Sequence, residues 1–390
     1  MINKLQNFEL WLCQLLKYIN KKRLFFFRKI RLFFSDNFHR INHSFKAPAT
    51  SVLLITVNER FGDELYVKGL AYSLSKCGID VSIATLSSVS PRFITLPFIS
   101  YVFVLDSFKD LKYLKTKKFS VAVDLEYINC RHWRERQPLL NNLDCYTITT
   151  SELCSSLNLF DDFISYRAVP HISQRLNLIY KRLTLDLSLS KISPYIDFSS
   201  DDYCWAKNFI KNINSKRVIY FNTVAGDNDR WFSIRQIHSM IQSIAKFNNY
   251  NVILNSSFFD QRELPKNYYL LPKISFPKLC ALIKFCSVVI TPDTSVTHIA
   301  NAFNIPSFVV FPPNDRDYFH EYSAAQAWGS FSDHSVTLTT DDDNLIIDPF
   351  GFGYPNRKAR PLNTVDSTYL CSNLERFLSK INEVYVHEKI

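Results

Sequence analysis

Apolar and polar positions fall along this chain in two successive rounds of the same grammar. Short apolar runs rich in β-branched residues stand at 51–57, 80–86, 99–106 and 118–126. Between the first two, the apolar residues of 64–76 recur every three or four positions up to Gly78, the helical period. The pattern restarts at 216–222 with a predicted helix over 233–247, a run at 250–256 and a helix over 276–285. Runs at 286–290 and 306–311 then flank a predicted helix over 295–303. Continuous short apolar runs are what strands buried on both faces of a parallel sheet look like, and their alternation with helices predicts two doubly wound α/β units. The stretch 160–215 reads as mostly helical and polar, with "SKISPYIDFSSDD" as a linker, and 366–384 reads as a terminal helix. The expected organisation is an arm over 1–47, a first domain over 48–200, a second over 201–361 and a C-terminal segment over 362–390.

Composition agrees with a two-core chain. At 390 residues it is too long for one ordinary core, and 47% hydrophobic residues supply enough apolar material to fill two. The formal charge of +10 is concentrated: residues 1–46 hold ten Lys or Arg against Glu9 and Asp36, a net +8, so the remainder is close to neutral. In the arm, Leu5, Phe8, Leu12, Leu15, Leu16 and Ile19 keep helical spacing ahead of "KKRLFFFRKIRLFF". A basic amphipathic helix of this kind suits an anionic bilayer surface, although the same pattern fits a helix pair packed on the body. No run approaches the ~20 apolar residues of a membrane span, and no uninterrupted signal-peptide core with a cleavage site is present. A near-neutral body gives no continuing basic surface for nucleic acid. Nine scattered Cys without a CxxC pair read as packing thiols of a reducing compartment. The expected location is cytoplasmic, peripheral on the inner face of the cytoplasmic membrane.

The chemistry-bearing stretch is "PDTSVTHIANAFNIP" at 292–306, set between two apolar runs. Asp293 or Thr294 is placed to cap the helix that follows, and a helix N-terminus presents N–H groups and positive dipole suited to a diphosphate. Thr294 and Ser295 add hydroxyls, and Asp293 can accept from sugar hydroxyls. His298, one turn in, is either a ligand group or a core histidine. "DND" at 227–229 has an Asp-x-Asp form, but so short a match does not establish a metal site, and none is expected. Neither GxGxxG nor GxxxxGKS occurs, which removes the support for a Rossmann dinucleotide enzyme or a P-loop NTPase.

The block 274–313 resembles the donor-binding region of glycosyltransferase family 9, the heptosyltransferases of lipopolysaccharide assembly. It keeps Asp293, Thr294, His298, Ala300, Pro306 and Pro312, and has Ser295 where the family usually has Gly. Residues 51–74 look like the family's first strand and Gly-Asp loop, with Gly62 and Asp63 in place. Residues 117–137 resemble its Asp-Leu-Gln strand end, with Glu126 for Gln. Residues 217–241 resemble its Lys-Arg-Trp segment, with Asp229 where Lys is common and Arg230 and Trp231 matching.

The resemblance implies a GT-B fold, two Rossmann-like domains with a terminal helix crossing back to the first, and an inverting transfer with no cofactor. It makes Asp63 the catalytic base that takes the acceptor hydroxyl proton, with a helix cap as its other reading and Asp124 and Glu126 as competing carboxylates. Arg230, with Thr223 in the same loop, becomes the leaving-group cation. Arg131, Arg134 and Arg136 fit either a grip on an anionic acceptor or an ordinary solvated helix. The expected partners are a nucleotide-sugar donor, ADP-heptose by resemblance, and an anionic lipid-linked saccharide. The alternatives are another nucleotide sugar on the same fold, or an idle relative that binds glycolipid.

Overall fold

A computed structural model describes residues 44–57, 60–126, 136, 139–140, 143–150, 160–166, 169–213, 217–313, 323–339 and 361–387. The arm over 1–43 and both Arg131 and Arg134 lie outside the described residues. The chain divides into two compact units, one on residues 44–169 and 174–192, the other on 170–173, 193–339 and 361–387.

The first unit is built on a six-stranded sheet of β1 (Ser51–Ile55), β2 (Asp80–Thr85), β3 (Tyr101–Val104), β4 (Val121–Asp124), β5 (Tyr146–Thr149) and β6 (Asp162–Phe163). Its order is β3-β2-β1-β4-β5-β6, and every pairing is parallel. Val52 to Ile55 of β1 are fully buried, as expected of a strand covered on both faces. Helix α1 (Phe61–Lys76) joins β1 to β2 and ends at Gly78 in the left-handed region (φ 77°), where Gly78 N–H donates to Ser75 O and Ile79 N–H to Leu74 O. Helices α2 (Phe108–Leu114) and α3 (Ile172–Thr184) follow later in the chain.

The second unit opens with α4 (Ser200–Ile213) and has the same topology. Its elements are β7 (Val218–Asn222), α5 (Ile234–Ala245), β8 (Asn251–Asn255), β9 (Tyr268–Leu270), α6 (Phe276–Ile283), β10 (Val288–Pro292), α7 (Ser295–Ala302), β11 (Ser307–Val310), α8 (Ala324–Trp328), β12 (Val336–Leu338) and α9 (Ser367–His387). The sheet runs β12-β11-β10-β7-β8-β9, again all parallel. Local signals set the helix starts: Ser233 and Gln236 form a capping box on α5, and Ser275 caps α6 ahead of Pro277. Helix α9 buries Leu370, Leu374, Phe377, Leu378 and Ile381 in the second unit's core beside Ile237 and Met240 of α5.

In both sheets the strand order reverses beside the first strand of the unit, between β1 and β4 and between β7 and β10. Such a reversal sends consecutive connections to opposite faces and leaves a crevice outside the carboxyl ends of the two strands, where ligands of open α/β sheets bind. Of the residues singled out in the sequence, Asp63 and Asp124 lie at the first reversal, and Thr223, Arg230, Asp293, Thr294, Ser295 and His298 at the second. Among the described residues, no helix is long and apolar enough to cross a membrane.

Candidate functional site

In the second unit the carboxyl ends of β8, β7 and β10 are joined by a chain of neutral polar side chains. Asn222 and Asn255 are register partners, and Asn255 Nδ2 donates to Asn222 Oδ1 at 2.8 Å. Asn222 Nδ2 in turn donates to Val224 O (2.8 Å) and Thr291 Oγ1 (3.1 Å), and Thr291 Oγ1 lies 3.0 Å from Thr294 Oγ1. Thr294 is the N-cap of α7, accepting from Val296 N–H at 3.2 Å, so the chain ends at the helix that carries Ser295 and His298. Thr223 is wholly buried, donating from backbone N–H (3.0 Å) and hydroxyl (2.8 Å) to Asn255 O.

Two loops meet across this reversal. The loop after β7 makes a 3-10 turn over Asn228–Arg230 whose N-cap is Asp227, accepting from Asp229 N–H at 3.2 Å. Trp231 Nε1 ties the loop to Ala225 O at 2.8 Å. Arg230 is thereby held toward the loop after β10, where its Nη1 meets Asp293 Oδ2 at 2.5 Å. The pair is partly open to solvent, 33% on the arginine and 12% on the aspartate. A cation, an anion and a helix N-terminus therefore share one crevice.

His298 faces the interior. It is 5% exposed, with its ring 5.9 Å from that of Trp328, and burial together with the neighbouring His171 pulls its pKa down to about 3. It is a neutral imidazole beneath the first turn of α7. His171 is held by Gly329 O, 3.1 Å from its Nε2, and by Ser173 N–H, which donates to Nδ1 at 3.1 Å.

At the reversal of the first sheet, Asp63 is the third residue of α1, partly buried and in the turn where the helix dipole favours an acid. The helix begins at Phe61, three residues ahead of the expected start, and Arg60 occupies the cap position without a side-chain cap bond. Glu64, next along, is buried and paired with Lys68 and Arg92, each at 2.8 Å. Asp124 ends β4, fully buried, with one oxygen accepting from Glu126 N–H (3.2 Å) and the other paired with Arg136. Burial pushes the Asp124 carboxyl up despite the pull of Arg136. Arg136 corrects an expectation. It is wholly buried on Asp124, so it neither reaches an acceptor nor lies on a solvated face; it holds the end of β4.

Comparison with known proteins agrees with this geometry. Residues 155–336 match the family model "Glycosyltransferase family 9 (heptosyltransferase)". The chain has a heptosyltransferase-like glycosyltransferase fold. A family 9 glycosyl transferase from Veillonella parvula is 13% identical over 87% of this chain and 100% of its own, with a TM-score of 0.64. The Escherichia coli ADP-heptose lps heptosyltransferase II is 15% identical over 85% of this chain and 99% of its own (TM-score 0.59). The Escherichia coli heptosyltransferase WaaC, solved with ADP, is 13% identical over 85% and 99% (TM-score 0.54). No curated protein matches the sequence.

The family 9 match spans the whole of the crevice at β7 and β10, including Thr223, Arg230, Asp293, Thr294, Ser295 and His298. Sequence reading passed over Asn222, Asn255 and Thr291, which hold these groups in place. A signal was available: the five-residue strands "VIYFN" and "NVILN" each close an apolar run with Asn, and their register makes the two amides neighbours. It also passed over Glu64 and Arg92, whose contact joins residues 28 apart.

Proposed function

We propose that this protein is an inverting glycosyltransferase that moves a sugar, heptose from ADP-heptose, to an anionic lipid-linked saccharide of the lipopolysaccharide core type. It acts at the inner face of the cytoplasmic membrane, which it touches through residues 1–46. The observation that carries the reading is the Arg230–Asp293 pair beside the N-terminus of α7, at the strand reversal of the second unit. A leaving nucleoside diphosphate gathers negative charge on its oxygens, and a preorganised guanidinium with helix N–H groups is suited to receive it. Arg230 exchanges Asp293 for the diphosphate, and Asp293 turns to the sugar hydroxyls. Thr223 and Thr294 keep the two loops in register, Ser295 lies against the phosphates, and neutral His298 supports the turn from beneath. Asp63 removes the proton of the acceptor hydroxyl, and Arg131 and Arg134 bind the anionic acceptor. The charge of the diphosphate is met by these groups, so the reaction runs without a divalent ion.

Calorimetric titration of the full chain with ADP, UDP, GDP and CMP in EDTA tests this. ADP is expected to bind in preference to the others, and Arg230→Ala is expected to weaken it by ten- to a hundredfold, the loss of one charge-assisted contact. Preference for another nucleotide would retain the fold and discard heptose. That second reading is favoured by Ser295, where the family usually has Gly, and by Asp229, where Lys is common. Binding of none of the four would point to an idle relative.

A further inference from the structure

The first turn of α1 lacks the usual side-chain cap, since Arg60 at the cap position makes no such bond. It is nevertheless gripped from another part of the chain. Arg92 closes the 3-10 turn Ser90–Arg92 that follows β2, and it reaches the first turn of α1 at two points. Its Nη1 meets Glu64 Oε2 at 2.8 Å, and its guanidinium lies over the ring of Phe61, 4.0 Å from the centroid. Phe61 and Glu64 flank Gly62 and Asp63, so one planar cation holds the residues on either side of the acid.

Charge balance does not require this second cation. Glu64, with its side chain 2% exposed, is already paired with Lys68 of its own helix at 2.8 Å. Arg92 adds no neutralisation; it adds a link between α1 and the segment beyond β2. The segment itself is anchored, because Phe93 beside it is fully buried and the backbone N–H groups of Arg92 and Phe93 donate to Val89 O and Ser90 O at 3.0 Å. A guanidinium can stack and hydrogen-bond in one fixed plane, which an ammonium cannot.

We infer that Arg92 is a positioning residue for Asp63: stacked on Phe61 and paired with Glu64, it holds the first turn of α1 in the one geometry that presents the Asp63 carboxylate. The inference rests on the proposed role of Asp63 as the base.

The test uses the full-length protein with two readouts. Hydrogen exchange over residues 61–65 is expected to quicken at least tenfold in Arg92→Gln, with exchange in β1 and β2 unchanged. Turnover of ADP-heptose with a Kdo-terminated lipid acceptor is expected to fall at least tenfold in kcat while the donor KM stays within twofold. Arg92→Lys, which keeps the charge beside Glu64 and loses the planar stack, is expected to recover only part of both. Unchanged exchange over 61–65, or full recovery by Lys, would overturn the inference. A loss shared between kcat and KM would also overturn it, because a merely structural role spreads in that way. Asp63→Asn separates the two ideas: if it keeps wild-type kcat, the base assignment fails, while the exchange experiment still decides whether Arg92 holds the turn.

Discussion

The two strand reversals have the same topology and are fixed by opposite chemistry. At the first, buried acids do the holding: Asp124 on the equally buried Arg136, and Glu64, 2% exposed, on Lys68 and the partly exposed Arg92. At the second, the strand ends are joined by amides and hydroxyls running from Asn255 through Asn222 and Thr291 to Thr294, and the ion pair in the crevice, Arg230–Asp293, is partly open to water. A buried ion pair is expensive to break and so resists rearrangement. A partly hydrated pair can exchange its partner for a ligand at modest cost, since solvent already screens part of the attraction. The first reversal is therefore built to keep its shape, and on the proposed function the second trades one anion for another.

The sharpest way to break this comparison is at Arg136. Arg136→Ala leaves the Asp124 carboxyl buried without its cation, and the expected loss of stability is about 3–5 kcal/mol, read by urea unfolding. The loss has a sign in pH. Burial already raises the Asp124 carboxyl above its usual range, and removing Arg136 raises it further. A folded-state acid with a raised pKa binds more protons than the unfolded chain, so stability falls as pH rises through that window. The penalty of Arg136→Ala is thus expected to be larger at pH 8 than at pH 5. An equal penalty at both would mean that Asp124 carries the same protonation in the two folded forms, so that Arg136 does not shift its titration within this range.

The neutral chain of the second unit is expected to yield a smaller effect. Asn222→Leu keeps approximate volume while removing the acceptor of Asn255 and the donor to Thr291 Oγ1 and Val224 O. Unpaired buried polar groups of this type cost about 1–3 kcal/mol, so urea unfolding is expected to show a loss of about 2 kcal/mol. The residues that Asn222 aligns also carry the crevice, so ADP affinity is expected to fall with it, while Arg136→Ala leaves ADP affinity unchanged. If Arg136→Ala weakens ADP as much as Asn222→Leu does, the division of labour between the two reversals is wrong.

Much of this architecture was legible because its determinants are local. The continuous apolar runs of β1, β2, β7, β8, β10 and β11 and the capping residues Ser233, Ser275 and Thr294 each act within a few residues of where they stand. Of the strands that escaped notice, β6, β9 and β12 are edge strands of two or three residues with one neighbour each, and β5, paired on both sides, has only four residues of which two are half-buried, so none demands a long continuous apolar run. In the crevice, the hydroxyls and the helix N-terminus announce themselves by spacing. Partners do not, because Arg136 with Asp124, Arg92 with Glu64 and Arg230 with Asp293 join residues 12 to 63 apart, and only the folded chain brings them together. Charge pairing is a tertiary fact, and so Arg136 looked like a surface cation.

The least disruptive test concerns His298, which divides the neutral second reversal into a part that titrates and a part that does not. In the folded protein its imidazole stays neutral until about pH 3, whereas in the unfolded chain it takes a proton near the usual histidine value of about 6.5. The unfolded state therefore binds the extra proton, and stability from this group is present above about pH 6.5 and declines as pH falls from there toward about 3. At about 1.4 kcal/mol per pH unit, wild type should lose about 2 kcal/mol more than His298→Gln between pH 8 and pH 5 in urea unfolding, with His171 present in both proteins. Wild type losing less than the variant would mean that His298 is protonated in the fold, which places a cation under the first turn of α7. In that case the second reversal would hold a buried charge as the first does.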